Sequence, residues 1–294
     1  MSLVTTFDVG GLRCHALEAG LQRLDGGAMF GVVPKPLWSR RIAADDRNRI
    51  PLAMRCLLVE HGDGPVLIDT GIGNKEQDKF RDIYGVENAG EAGPTRLDDA
   101  LAAVGFSAGD VRYVINTHLH FDHAGGNTSI PVGAPPDAAP QVAFPNATYV
   151  VQAGELDFGM QPNERTAGSY LPKNFAPITG ADRWRLLRGE EEILPGIRAV
   201  LTPGHVPHHQ SILVTDAGET ACFLGDLVPT AAHLPLPWIM GYDLEPLVTL
   251  ESKRRLLGRA ETEGWILVFE HDPERGVGRT VKEGKSYGFQ ALAR

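Results

Sequence analysis

The chain of 294 residues is 43% hydrophobic and 22% charged, the make-up of an ordinary globular protein, which excludes disordered, collagen-like and coiled-coil classes. Its 28 basic and 37 acidic side chains leave a formal charge of -9, which repels a phosphate backbone and sets nucleic acid aside as a partner. Cys14, Cys56 and Cys222 are odd in number, far apart and without a C-x-x-C pair. Buried thiols in a reducing compartment are expected, not disulfides or a thiolate zinc site.

The first twenty residues lack a basic stretch followed by an apolar one, and no run reaches the length of a membrane span, so a cytoplasmic protein with no membrane partner is expected. Apolar runs at 55–59 and 66–68 flank His61-Gly62-Asp63-Gly64, which predicts a hairpin with Asp69 at a strand end. Thr95-Arg96-Leu97-Asp98 reads as a capping box opening a helix with Leu97, Ala100, Leu101 and Val104 on one face and Gly105 as its stop. Residues 111–116 are short and β-branched, as a buried strand is. Pro131, Pro135, Pro136, Pro140 and Pro145 predict a long loop over 125–146 through which neither helix nor ladder runs. It is either a solvated insertion or a lid.

Strands are predicted at 197–201, 212–214, 221–224 and 266–269, with Asp216-Ala217-Gly218-Glu219 turning the middle two into a hairpin. A helix from Pro246 to about Glu263, stopped by Gly264, precedes the last strand. Strands mixed with helices indicate an α/β chain, with no repeat and no linker that would divide it.

Metal-binding residue types recur just beyond the strand ends. His118, His120, Asp122 and His123 follow the strand at 111–116, while His205, Asp226 and His271 each follow a later one. Strand carboxyl ends open onto the crevice where ligands bind in open sheets, so these seven can converge. Imidazole and carboxylate suit zinc and related divalent ions, and seven donors are too many for one ion and about right for two. His118 and His120 point the same way on an extended stretch, Asp122 and His123 lie on the next turn, and Asp226 can bridge.

The segment Thr117-His118-Leu119-His120-Phe121-Asp122-His123-Ala124-Gly125-Gly126, with its downstream His, Asp and His, resembles the metal motif of the metallo-β-lactamase superfamily. The resemblance spans about Leu57 to His271 and implies an αββα four-layer sandwich, two mixed sheets flanked by helices, as a single domain over 1–294. It implies one ion on His118, His120 and His205, a second on Asp122, His123 and His271, Asp226 bridging, and Asp69 and His209 supporting them from behind.

The ions are expected to be zinc, with iron, manganese or cobalt as alternatives. A bridging hydroxide would attack an ester or lactone carbonyl, with Asp122 and Asp226 as the catalytic carboxylates. His120 stands where diiron flavoproteins usually carry a carboxylate, little chain follows His271 compared with glyoxalase II proteins, and the charge disfavours the tRNA-processing branch. The metal segments are most similar to quorum-quenching lactonases and organophosphate hydrolases. A lactonase is therefore expected, with a phosphotriesterase or a non-catalytic metal-binding sensor as alternatives.

Acyl-homoserine lactonases place a tyrosine where this chain has Pro229, and Tyr242 or His233 is the candidate substitute. The largely apolar segment 233–242 with Met29 and Phe30, and in it His233, Trp238 and Tyr242, is read either as the wall for a small-molecule substrate or as core packing, and residues 1–50, with Trp38, also suit a homodimer contact. Lys35, Arg40 and Arg41 are read as a solvated basic group.

Overall fold

The computed structural model describes residues 2–135 and 138–292. Its strands are β1 (Val4–Val9), β2 (Leu12–Asp25), β3 (Arg49–Glu60), β4 (Val66–Ile68), β5 (Tyr113–Ile115), β6 (Thr128–Ser129), β7 (Gln141–Val142), β8 (Thr148–Gln152) and β9 (Trp184–Leu187), then β10 (Glu192–Leu194), β11 (Ile197–Leu201), β12 (Gln210–Asp216), β13 (Glu219–Phe223), β14 (Ile266–Val268), β15 (Val277–Glu283) and β16 (Ser286–Ala291). The helices are α1 (Gly26–Phe30), α2 (Lys35–Trp38), α3 (Asp78–Tyr84), α4 (Arg96–Ala103), α5 (Phe121–Ala124), α6 (Ala153–Met160), α7 (Ala176–Gly180) and α8 (Pro246–Glu263). The chain forms two units, one of Met1–Asp8, Leu12–Gly20 and Met54–Gly189, the other of Val9–Gly11, Leu21–Ala53 and Glu190–Arg294.

The first seven-stranded sheet runs β1-β2-β3-β4-β5-β8-β9. Strands β3 and β4 pair antiparallel through the expected hairpin, Leu57 opposite Ile68, whereas β4, β5, β8 and β9 are parallel neighbours. Because Ile68, Ile115 and Val150 lie in register, Asp69, the stretch from Thr117 to His123, and α6 all leave the same end of the sheet. The capping box of α4 is present, with Thr95 Oγ1 accepting from the Asp98 N–H and the Asp98 carboxylate accepting from the Thr95 N–H. Leu17, Met54, Leu58, Leu67, Val114 and Tyr149 belong to the core of this unit.

The expected loop over 125–146 is not wholly free of ladder. Strands β6 and β7 pair Thr128 with Val142 and Ser129 with Gln141. The ladder uses the flanks of the proline-rich stretch, whose own residues cannot supply the N–H groups. Pro136, named with that loop, lies outside the described residues.

The second seven-stranded sheet follows chain order from β10 to β16, antiparallel apart from β13 beside β14. Two antiparallel steps from β11 to β13 restore its direction, and the parallel step keeps it for β14. The residues after β11, β13 and β14 therefore emerge at one end, and these carry His205, Asp226 and His271. The β12–β13 turn pairs Asp216 with Glu219, and Ala217 and Gly218 take positive φ values of 48° and 84°, as a tight two-residue reversal requires.

Helix α8 begins with Pro246 and ends at Gly264 in the left-handed region, φ 68°. It buries Leu256, Leu257 and Ala260 in the core of this unit. Its Lys253 is 1% exposed and donates to the carbonyls of His233 (2.7 Å), Pro235 (3.1 Å) and Trp238 (2.7 Å). Burial pulls this ammonium down to about 7, with Asp243 opposing. No helix among the described residues is long and apolar enough to cross a membrane.

Replacing Lys253 by Met removes the donor from one buried carbonyl, that of His233, and from two part-buried ones, those of Pro235 and Trp238. Lys253→Met should lower stability by roughly 2–4 kcal/mol, since each orphaned polar group costs about 1–3 kcal/mol, as read from the urea midpoint at pH 6.5.

Candidate metal centre

In the first unit, four of the seven candidate ligands come from one short stretch. The ring of His118 lies 4.5 Å from that of His120 and 4.0 Å from that of His123. His120 precedes α5, whose first turn carries Asp122 and His123. This stretch lies against the loop that follows β4 without room for side chains. A Cβ on Gly125 would stand 2.3 Å from the Ile72 oxygen, and one on Gly126 would stand 2.2 Å from the Thr70 oxygen. The two glycines after the histidine motif therefore let two backbones touch.

Asp69 anchors the stretch. Its backbone takes φ 54°, unusual for a side chain other than glycine, and turns its carboxylate into the buried interior. That carboxylate accepts from the Thr117 N–H (2.8 Å), the Thr117 hydroxyl (2.6 Å) and His123 Nδ1 (3.0 Å). The Thr117 proton is thereby committed to Asp69, so at 3.1 Å its oxygen accepts from His118 Nδ1. Asp69 thus ties Thr117 and His123 together in the interior of this unit.

In the second unit, Asp226 divides its carboxylate between two imidazoles. Oδ2 lies 3.0 Å from His205 Nε2 and Oδ1 lies 3.1 Å from His271 Nε2. His205 Nδ1 is held by Asp243 Oδ1 at 2.9 Å, and His271 Nδ1 by the Ala53 carbonyl at 2.7 Å. Burial works against a charge on His205, but Asp226 and Asp243 outweigh it and raise this imidazole to about 10. His209 supports from behind: its Nε2 accepts from the Asp226 N–H (3.1 Å) and its Nδ1 pairs with Thr202 Oγ1 (2.8 Å). His208 is exposed.

The donor set fits divalent metal. In His123, His205 and His271 the Nδ1 faces an oxygen that can only accept, and in His118 it faces a hydroxyl whose proton is spent. Whenever these rings are neutral, the proton sits on Nδ1 and Nε2 keeps its lone pair, the arrangement usual for metal-binding histidines. Two carboxylates beside these imidazoles complete a nitrogen and oxygen set that suits zinc.

The candidate wall is partly core. Phe30 stacks on His233 at 4.4 Å and on Trp38 at 5.3 Å, and meets the edge of Trp238 at 5.7 Å. His233 is wholly buried, its Nε2 donating to the Met29 carbonyl and its Nδ1 paired with Thr230 Oγ1, both at 2.8 Å. It braces the α1 segment. Trp238 is half-buried with the Arg41 guanidinium 5.8 Å from its ring, and Tyr242 is exposed.

Sequence reasoning did not single out Asp243, Glu155, Tyr170 or the cleft beside α3. Asp243 carries no local signal, because 38 positions separate it from His205. In the first unit a cavity of about 500 Å³ is lined by Phe80, Ile83, Tyr84 and Leu171, with Lys79 and Lys173 at its side. Phe80 and Tyr84 also pack on Phe121, at 5.0 and 4.9 Å, within the histidine motif itself. Burial, with the Asp122 charge second, raises the Tyr84 hydroxyl above its usual value.

The sequence model of the metallo-beta-lactamase superfamily matches residues 51–271. The chain belongs to the metallo-β-lactamase superfamily. An N-acyl homoserine lactonase of Bacillus cereus is 30% identical over 250 residues, covering 80% of this chain and 87% of that protein. A probable metal-dependent hydrolase of Staphylococcus aureus superposes with a TM-score of 0.85 at 32% identity, over 98% of this chain and 100% of the other. The dizinc quorum-quenching lactonase AidC, solved with its product N-hexanoyl-L-homoserine, shares the fold at a TM-score of 0.80 and 19% identity, over 99% and 98% of the two chains. The two mixed seven-stranded sheets with flanking helices are the sheets of this superfamily.

His233 makes a prediction about acid stability. Burial lowers it to about 3 from 6.5, so between those values the unfolded chain binds a proton that the folded chain refuses. Stability should therefore fall as pH drops from 6.5 towards 3, by up to ~1.4 kcal/mol per pH unit from this group. In His233→Gln that slope should flatten, measured by urea unfolding between pH 7 and pH 4.5.

Proposed function

We propose that this protein is a binuclear metal-dependent hydrolase that opens a lactone, or cleaves an ester, bearing an apolar acyl chain. In this reading His118, His120 and His205 hold one ion, Asp122, His123 and His271 hold the other, and Asp226 serves both. The observation that carries it is the Asp226 carboxylate, whose two oxygens address two different imidazoles from positions fixed by the backbone. A carboxylate disposed in that way suits a bridge between two cations better than an isolated ion pair. The similarity to N-acyl homoserine lactonases supports the choice of substrate class.

Two divalent ions would supply Lewis acidity, polarising the scissile carbonyl and making water acidic enough to react at neutral pH. The chain's own groups do the remainder. Asp69, Thr117, Asp243 and the Ala53 carbonyl hold the Nδ1 protons and so present Nε2 in fixed directions. The Asp122 carboxylate takes the proton of the attacking water and returns it to the alkoxide released when the ring opens. The cleft of Phe80, Ile83, Tyr84 and Leu171 takes the acyl chain and excludes water from it. Pro229 offers no hydroxyl, and His233 has committed both nitrogens to the protein. The Tyr84 hydroxyl, beside Asp122, is the donor that this reading assigns to the substrate's oxygen.

Two zinc equivalents per chain are expected by metal analysis, with activity on N-acyl homoserine lactones lost on chelation and restored by zinc, cobalt or manganese. His118→Ala and Asp226→Ala should each lower kcat/KM at least ~100-fold, the scale of losing a group that stabilises the transition state. A metal-free protein, or turnover confined to phosphotriesters in a panel of lactones, aryl esters and phosphotriesters, would refute the lactonase reading. Phe80→Ala should raise KM for a decanoyl lactone about 10-fold while leaving a butanoyl lactone within about 2-fold, because each buried methylene is worth ~0.8 kcal/mol. Trp238→Ala, run alongside, compares this cleft with the Phe30 side.

A further inference from the structure

The histidine motif is braced from a second direction that Asp69 does not account for. Glu155, on the first turn of α6, has no exposed surface, yet it lies among apolar residues at the end of a parallel strand. Its Oε1 accepts from the Leu119 N–H at 2.9 Å, the peptide between His118 and His120. The same oxygen accepts the Tyr170 hydroxyl at 2.7 Å. The Tyr170 ring meets the His120 ring edge-on at 4.7 Å, and the neighbouring Ser169 carbonyl accepts from the Phe121 N–H at 3.0 Å. Peptide groups on both sides of His120 and one face of its imidazole are thus held by a single cluster.

The surroundings are shaped for that cluster. Gly159 lies one turn after Glu155 on α6, on the same face, and a Cβ there would stand 2.9 Å from the Tyr170 ring. A glycine inside a helix costs about 1 kcal/mol relative to alanine, and here it makes room for the tyrosine. Burial and the adjoining carboxylate push the Tyr170 hydroxyl far above its usual range, so it keeps its proton and remains a donor. Only donors aimed at its oxygens justify burying a carboxylate at this place, since an unsatisfied one is expensive, and the Leu119 N–H and the Tyr170 hydroxyl are such donors.

We propose that Glu155 and Tyr170 form a positioning pair for His120: the carboxylate fixes the peptide between the two motif histidines, and the phenol ring fixes the plane of the second imidazole. The pair rests on the reading above that His120 is a metal ligand. Asp69 governs Thr117, His118 and His123, and Glu155 with Tyr170 governs His120, so the two ends of the motif and its middle are set from different strands of the same sheet. Neither residue touches substrate.

The test uses the full chain loaded with cobalt, with Tyr170→Phe and Glu155→Gln compared against the unaltered protein and against His118→Ala. Circular dichroism and thermal unfolding establish that each variant is folded. In both positioning variants, one of two cobalt equivalents should come off at a chelator concentration about 10–100-fold lower, the usual scale for partners behind a ligand. The visible cobalt spectrum should change with it, and kcat should fall while KM stays near its original value. Variants that are less heat-stable yet release cobalt and absorb light as the unaltered protein does would overturn the pair, leaving only a packing role. Should Glu155→Gln not fold, Tyr170→Phe decides alone, since it keeps the ring and removes one hydroxyl. If His118→Ala also keeps both equivalents, the ligand assignment itself is wrong. Loss from His118→Ala with none from the other two condemns only the pair.

Discussion

A histidine ring can present a nitrogen lone pair in a defined direction only if its other nitrogen is held, and the two units meet that constraint with different partners. In one, a threonine hydroxyl and the Asp69 carboxylate hold His118 and His123. In the other, Asp243 and the Ala53 carbonyl hold His205 and His271. Each partner accepts and cannot give a proton back, which fixes the tautomer as well as the angle. The strand ends, the left-handed Asp69 and the paired glycines serve this one requirement.

The Asp226 carboxylate depends on the same discipline. It stands between His205 and His271 because β11, β13 and β14 all run the same way and end together, and because His209 holds its peptide N–H. Its two oxygens are directed at two different imidazoles, the disposition in which a carboxylate would serve two cations. An antiparallel pair of steps followed by one parallel step is what delivers three candidate ligands to one end of a sheet.

Much of this was legible in the sequence because local chemistry wrote it there. Strand β4 and helix α8 have the expected limits, and the capping box of Thr95 and Asp98 forms as read. The order of histidines and aspartates disclosed the superfamily, since that pattern has few other uses. Strands β1, β2, β8, β9, β10, β15 and β16, like the short β6 and β7, went unannounced. Their burial alternates poorly or depends on neighbours far along the chain, as in β2, where a run of buried positions includes His15 and Glu18. Asp243, Glu155 and Tyr170 were equally silent. A residue that acts by holding another carries no spacing rule, and only the folded chain brings Tyr170 to Glu155 and both to Leu119. The wall inferred around Phe30 shows the complementary limit. Apolar composition identified residues that pack together, but it could not tell a surface open to ligand from a stack sealed around His233.

Gly204, two positions after the β11 strand residue Leu201 gives way to Thr202, holds φ 132° with the backbone of Thr249 so near that a Cβ would stand 2.3 Å from its nitrogen. The peptides of Leu244 and Glu245 donate to the carbonyls of His205 and Gly204, at 3.0 and 2.9 Å. The root of an eighteen-residue helix is thereby riveted to the peptide that carries a candidate ligand. A crowded side chain or a crosslink at the start of that rod therefore loads the same peptides that carry His205. Surface engineering of α8 for heat resistance therefore has to leave its first turn alone, since that turn shares its hydrogen bonds with the peptide of a candidate ligand.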